Sequence, residues 1–339
     1  MYRAAPLFRA YLGALGVTDV VFSPVTSDAL WRAGASHGAN DPCFPVKVVL
    51  AHVHRLLEDH DAGRRLDAIF VPHFTHAVTP VRHCVDTASC PVIAAAPSLV
   101  RASLGEELAR RGIRFLDPMV TVTEPQLLRR QMFDAFGELL DASETESRHA
   151  VKAGVAACQW VDDRLAEGAR AILERLDREP GHGAVLVIGR PYHSDPGLNH
   201  HVGEELQALG FPVLTVRSIP RDDDWLARLL APELGAGAIA DVYDVRDLAP
   251  EVANSGVAER LFAARVAARH GRLGVVELSS FKCGQDSPAY GPVRDLLDRA
   301  GTPLCTLHDL DETRPVASLR LRLRTFAHAM AERGSGPWT

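Results

Sequence analysis

Lysine is almost absent from this chain. Among 339 residues only Lys47, Lys152 and Lys282 carry an ammonium group, and arginine supplies nearly all the positive charge. The arginines are scattered and the net charge is −6, which excludes the basic face of a nucleic-acid-binding protein. No apolar run approaches the ~20 residues that cross a bilayer. The opening MYRAAPLFRAYLGALG carries arginines inside an amphipathic pattern and has no signal-peptide cleavage site. The expectation is a cytoplasmic protein with neither a nucleic-acid nor a membrane partner. No two cysteines form a CxxC pair, which argues against zinc-ribbon sites, and six cysteines in a cytosolic chain read as unpaired, catalytic or metal-bound. Walker A and G-x-G-x-x-G patterns are also missing, so neither a P-loop nor a dinucleotide fingerprint accounts for the chain.

What is present is apolar: 47% of the residues are hydrophobic, enough for a sizeable core. Apolar runs alternate with helical patterns at both ends of the chain, which predicts α/β architecture with parallel sheets and right-handed crossovers. The first lobe, residues 1–122, has strands expected at Thr18–Pro24, Leu66–Pro72 and Pro91–Ala96. Residues 123–182 show three- and four-residue apolar spacing throughout and read as a helical connector. The second lobe, 183–339, resumes the alternation with strands expected at Ala184–Gly189, Pro212–Arg217, Leu273–Leu278 and Pro303–Leu307. The expected fold is two Rossmann-like parallel-sheet lobes joined by a helical segment.

Chemistry concentrates where strands end and helices begin. In LGVVELSSFKCGQDSPAY, an apolar strand runs into a tight loop holding Cys283. Asp286 and Ser287 read as caps and Pro288 as a first-turn residue of the next helix. Lys282 beside the sulfur and the helix N-terminus both favour thiolate, and Gly284 lets a bound group approach the backbone. Cys43 lies between prolines at the mouth of a helix, and Cys90 precedes Pro91. These three pinned cysteines suit an iron–sulfur cluster, with zinc held by cysteine and His73, His76 or His83 as the competitor. Cys158 and Cys305 lie within elements and read as core. The stretch GRPYHSDPGLNH places Arg190, Tyr192, His193 and Asn199 at a second strand end, with Asp195 as a cap. It reads either as a solvated turn or as a polar cleft wall in which His193 supplies a proton and Arg190 a positive charge.

Taken together, GRPYHSDPGLNH, SSFKCGQDSP, DPCFPVK…HVHRLLE and the late HDLDETRPVASLRLRLR resemble signature blocks of activase-related proteins of the 2-hydroxyacyl-CoA dehydratase superfamily, over nearly the whole chain. The resemblance implies a [4Fe–4S] cluster held between two lobes by Cys43, Cys90 and Cys283, with Cys84 outside the matching block. From the two strand-end stretches themselves, Lys282, Gly284 and Asn199 are expected around the cofactor, and His193, Arg190 and Tyr192 as the catalytic groups. The implied reaction is low-potential, radical dehydration of a 2-hydroxyacyl-CoA. The alternatives are a double-cubane-like reductase of small molecules, and a non-catalytic electron carrier or scaffold associated with an activase. The acidic, Gly/Thr-rich phosphate motifs of the activase ATPase domain are missing, so the implied partner is a separate ATP-dependent activase. An acyl-CoA substrate and a homologous subunit or second copy complete the implied partners.

Overall fold

A computed structural model describes residues 2–35, 43–281, 283–311 and 316–338. The chain divides into two compact units, Met1–Val78 with Ala88–Val161, and Thr79–Thr87 with Asp162–Thr339. Both are α/β.

The first unit contains α1 (Ala5–Ala14), α2 (Asp28–Gly34), α3 (Phe44–Asp61), β1 (Ala68–Phe70), β2 (His73–Phe74), α4 (Pro91–Ala94), α5 (Ala96–Arg110), β3 (Arg114–Leu116), β4 (Met119–Val120) and α6 (Pro125–Phe136). The start of the long helix α7 (Glu144–Arg178) also counts with it. The strands form two short parallel ladders, β1 with β3 and β2 with β4. Leu50, Val53 and Leu57 of α3 pack on Leu104 and Leu108 of α5 and on Ile69 of β1. A second core joins Leu7, Phe8 and Tyr11 of α1 to Leu128, Met132 and Phe136 of α6. Cys158, expected in the core, packs at the margin of this second cluster.

Two expected strands do not form. Thr18–Pro24 has no regular structure; its Phe22 is 41% exposed, and an apolar run without a partner ladder or a buried face has nothing to hold it extended. Pro91–Ala96 is helical: Pro91 occupies the first turn of α4 after an extended Cys90, the position where proline's fixed φ and missing N–H favour a helix start.

The second unit contains the end of α7, then β5 (Gly181–His182), β6 (Ala184–Ile188), a 3-10 turn (Pro191–Ser194), α8 (Val202–Ala208), β7 (Val213–Thr215), α9 (Asp223–Leu229), α10 (Ala231–Gly235), α11 (Ser255–His270), β8 (Leu273–Ser280), α12 (Ser287–Ala300), β9 (Leu304–Leu310), α13 (Val316–Glu332) and β10 (Ser335–Gly336). Four parallel strands lie in the order β7-β6-β8-β9. β8 is buried along its whole length and serves both faces. Leu273 and Val275 pack with α11 and α12, while Val276 and Leu278 pack with α8 and α13. Gly274 is required by that packing, because a Cβ there would lie 2.7 Å from Phe326 Cζ and closer still to Met330 Sδ. Cys305 is buried in the second of these clusters, as expected.

After β6 the chain moves outward to β7, and β8 then returns on the other side of β6. The carboxyl ends of β6 and β8 therefore flank the point where strand order reverses, where open α/β sheets leave a crevice. Both signature stretches leave the sheet there.

Candidate functional site

β6 ends at Ile188, and the extended Arg190 leads into the 3-10 turn. β8 ends at Ser280, and the loop through Cys283 leads into α12. The group that joins these two ends is Asp286. It was expected to cap α12, but its side chain makes no capping bond. Its Oδ1 accepts from Arg190 Nε at 2.5 Å, and its Oδ2 accepts from Arg260 Nη2 at 2.8 Å and Ser279 Oγ at 2.7 Å. Burial alone would raise the Asp286 pKa, but the charges of Arg260 and then Arg190 hold it below the ordinary carboxylate range. Arg260 also donates to Glu277 Oε1 at 3.1 Å and to the Leu278 carbonyl at 2.6 Å. Arg190 Nη1 donates to Asn254 Oδ1 at 2.8 Å. Arg260, Glu277 and Asp286 are no more than 1% exposed. A buried charge is tolerated only when paired and hydrogen-bonded, so this network fixes the strand ends and the loop together.

His193 is buried within the turn. The Arg190 backbone N–H donates to its Nδ1 at 3.1 Å, which leaves the ring proton on Nε2. That Nε2 is buried with no partner among the described residues. Burial, and then the charge of Arg260, push the His193 pKa from 6.5 down to about 3. The side chain is thus a neutral N–H donor at neutral pH. Below pH 6.5 the unfolded chain takes up a proton that folded His193 refuses. The contribution to stability is therefore complete above that pH and is lost as pH falls toward about 3. Between pH 6.5 and pH 5 the wild type should lose roughly 2 kcal/mol more than His193→Asn, which keeps an acceptor near the Nδ1 position. Denaturant midpoints measured at the two pH values check this, and parallel pH profiles would show that folded His193 can be charged.

Tyr192 is half-buried, its hydroxyl 3.5 Å from Ser280 Oγ. Burial and the nearby Asp286 raise its pKa, so it remains a phenol. Asn199 works inside the turn, donating to the His193 carbonyl at 2.9 Å and accepting from Val202 N–H at 3.2 Å at the start of α8. His200 and His201, next in the chain, both adopt left-handed φ, a conformation that costs a non-glycine residue on the order of 1 kcal/mol or more.

Cys283 is half-buried and lines a cavity of about 250 Å3 with Gly284, Ser287, Tyr290 and His308. Its thiol pKa is raised, by burial first and then by Asp286; the backbone N–H groups of Asp286 and Gln285 and the Arg190 charge pull the other way. The expectation of a ready thiolate is corrected: Lys282, the cation on which it leaned, lies outside the described residues, and burial outweighs the amides. A Cβ at Gly284 would meet nothing within 4 Å, so the protein's own packing does not require glycine there. Around the cavity, Tyr290 stacks on His308 with ring centroids 3.8 Å apart, its hydroxyl donates to Ser279 Oγ at 2.7 Å, and His308 Nε2 meets Glu277 Oε2 at 2.8 Å. Tyr290, His308, Glu277 and Arg260 escaped the sequence reading. A carboxylate inside the apolar run LGVVELSS was the available signal of a buried ion partner.

In the first unit Cys43 and Cys90 are both half-buried N-cap residues, of α3 and α4. Cys84 belongs to the second unit. It packs against the apolar core there, and burial followed by Asp244 raises its pKa. The histidines of the zinc alternative have bonds of their own: His73 Nδ1 to the Ala94 carbonyl, His76 Nδ1 to Thr75 Oγ1, and His83 Nε2 to Asp241 Oδ2. Among the described residues no three His, Cys, Asp or Glu side chains are grouped as a metal site. The donors nevertheless fit an iron–sulfur cluster in kind, because Cys43, Cys90 and Cys283 are each in no disulfide, half-buried and placed at or just before a helix N-terminus, where amides favour anionic sulfur.

Residues 1–219, more than half of the chain, match the family model described as CoA enzyme activase uncharacterised domain (DUF2229). The matched span includes Arg190, Tyr192, His193 and Asn199 and ends before Cys283 and Asp286. No curated protein and no solved structure matches the chain. No helix among the described residues is long and apolar enough to cross a membrane.

Proposed function

The chain belongs to the family of the CoA enzyme activase uncharacterised domain, and from that premise we propose that it is an iron–sulfur protein of the 2-hydroxyacyl-CoA dehydratase type that works with a separate ATP-dependent activase in the cytoplasm. Cys43, Cys90 and Cys283 would hold a [4Fe–4S] cluster. Such a cluster, with one iron left open, supplies a Lewis acid and a low-potential electron for radical removal of water from a 2-hydroxyacyl-CoA.

The observation that carries the reading is the setting of Cys283. Cys283 lines an open cavity and stands on a loop that Asp286 ties to two buried arginines, with the nearby Gln285 and Asp286 backbone N–H groups acting to lower its pKa against the larger effect of burial. The chain's own groups have defined tasks around it. Asp286 and Arg260 hold the loop, the Gln285 and Asp286 amides partly offset the burial of the sulfur, and Tyr290 and His308 line the cavity with it. Arg190 and His193 are not among the lining residues: the Arg190 charge counters that of Asp286, and neutral His193 supports the turn.

Anaerobically purified protein tests the proposal by iron and acid-labile sulfide analysis. The wild type should carry both, and Cys43→Ser, Cys90→Ser and Cys283→Ser should each lose most of the iron, while Cys158→Ser and Cys305→Ser should keep it. Full iron in Cys283→Ser would sink the assignment. The burial of Arg190 and His193 favours a second reading, a non-catalytic electron carrier or scaffold. That protein would hold iron and bind no acyl-CoA.

A further inference from the structure

We infer that Thr79–Thr87 is a releasable strap, an arm whose tip comes off the second unit while both units stay folded. The arm leaves the first unit after β2 and returns to it just before α4. Its root is a short antiparallel contact in the first unit: His76 bridges Ala88, and the Ser89 N–H donates to the Thr75 carbonyl at 2.8 Å. The tip counts with the second unit. There the Arg82 N–H donates to the Tyr243 carbonyl at 3.1 Å and the Val85 N–H to the Val252 carbonyl at 2.8 Å, both on the segment between α10 and α11. His83 Nε2 lies 2.9 Å from Asp241 Oδ2, and the Arg82 guanidinium sits 4.9 Å over the centre of the Tyr243 ring. Val81 is buried in the core cluster of that unit, and Cys84 packs against it.

These contacts make a catch and not a strand. Arg82 pairs with Asp244 through one isolated bridge, with no ladder on either side. His83 is held at φ 61°, a left-handed conformation that disfavours any residue but glycine, so docking stores strain that release relieves. Val85 is 70% exposed, which brings water to the second of the two backbone bonds. Segments held in this way open well below the free energy of global unfolding. The topology gives the opening its consequence. The chain passes between the two units at 78–79, 87–88 and 161–162. The first two passages flank the strap. With the strap off, residues 1–161 run without an excursion, and the passage inside α7 is the single one left.

Amide hydrogen exchange of the full chain, read by peptide mass spectrometry and corrected for intrinsic rates, separates release from unfolding. Amides of Thr79–Thr87 should exchange at least about a hundredfold faster than those of β8. Urea below the unfolding midpoint should leave the strap rates unchanged and raise the β8 rates, because only global unfolding exposes a large surface. His83→Ala removes the contact with Asp241 and keeps the left-handed position. It should quicken exchange at Arg82 and Val85 about fivefold, the worth of one hydrogen bond, with Ser89 at the root and β8 unchanged. Wild-type strap amides that exchange at the β8 rate, with the same urea response, would show that the strap leaves only when the second unit unfolds. That result overturns the inference whether or not the variant folds. An acceleration in His83→Ala that reaches Ser89 and β8 equally, or no acceleration at all, overturns it as well.

Discussion

Asp286→Ala should destabilise the second unit by about 3–5 kcal/mol, the usual consequence of removing one partner from a buried charge pair. Two guanidinium groups depend on this carboxylate, Arg190 at 2.5 Å and Arg260 at 2.8 Å, and both are buried. Arg260 retains Glu277 and a carbonyl, and Arg190 retains only the neutral Asn254. The larger share of the loss therefore comes from Arg190, left as a nearly uncompensated buried cation. Arg164→Ala provides the comparison: its pair with Glu167 is 64% exposed on both sides and should be worth less than about 1 kcal/mol. Urea denaturation of the two variants beside the wild type measures both differences. If Asp286→Ala shifts the midpoint no further than Arg164→Ala, the network is not what holds the strand ends together.

The central role of Asp286 was not legible in the sequence, for a physical reason. Locally, Asp-Ser-Pro before an apolar helical pattern is a cap signal, and nothing nearby contradicts it. The partners that claim the carboxylate are 96 and 26 residues away, and only the order of β6, β8 and α11 brings them together. The same holds for His308 and Glu277, 31 residues apart. By contrast, the α/β alternation and the two strand-to-helix stretches could be read directly, because buried parallel strands are short continuous apolar runs and proline marks the following turn. The same rule failed at Pro91–Ala96, where an apolar run of that length serves a helix equally well and proline in the first turn decided for helix. At Cys283, proximity in sequence to Lys282 suggested a thiolate, while burial, which no local window contains, dominates.

Gly256→Ala should disturb the same network from the opposite side, at a cost of about 3 kcal/mol, between ordinary overpacking and the loss of a buried charge partner. Gly256 is in the first turn of α11, beside Asn254, whose Oδ1 accepts the Gly256 and Val257 N–H groups and Arg190 Nη1. A Cβ at this position would lie 2.8 Å from Arg190 Cζ, 3.0 Å from its Cδ, and nearer still to Nη1. A flexible side chain could usually give way. Arg190 cannot do so without leaving Asp286, Asn254 or both, because its Nε and Nη1 are held on different elements. Nor can the turn retreat, since Ala258 and Leu261 directly behind it are fully buried in the core. Gly203→Ala, in the first turn of α8 with no atom within 4 Å of the new Cβ, isolates the helix-propensity effect and should be neutral or slightly stabilising. The double variant supplies the sharper test. With Asp286 already removed, Arg190 has lost the pairing that the new methyl would break, so Gly256→Ala should cost 0.5 kcal/mol or more less than in the wild type, an interaction on the order of those seen between contacting residues. Strict additivity in the cycle would mean that the methyl acts on α11 alone and that the Arg190–Asp286 pair does not transmit the strain.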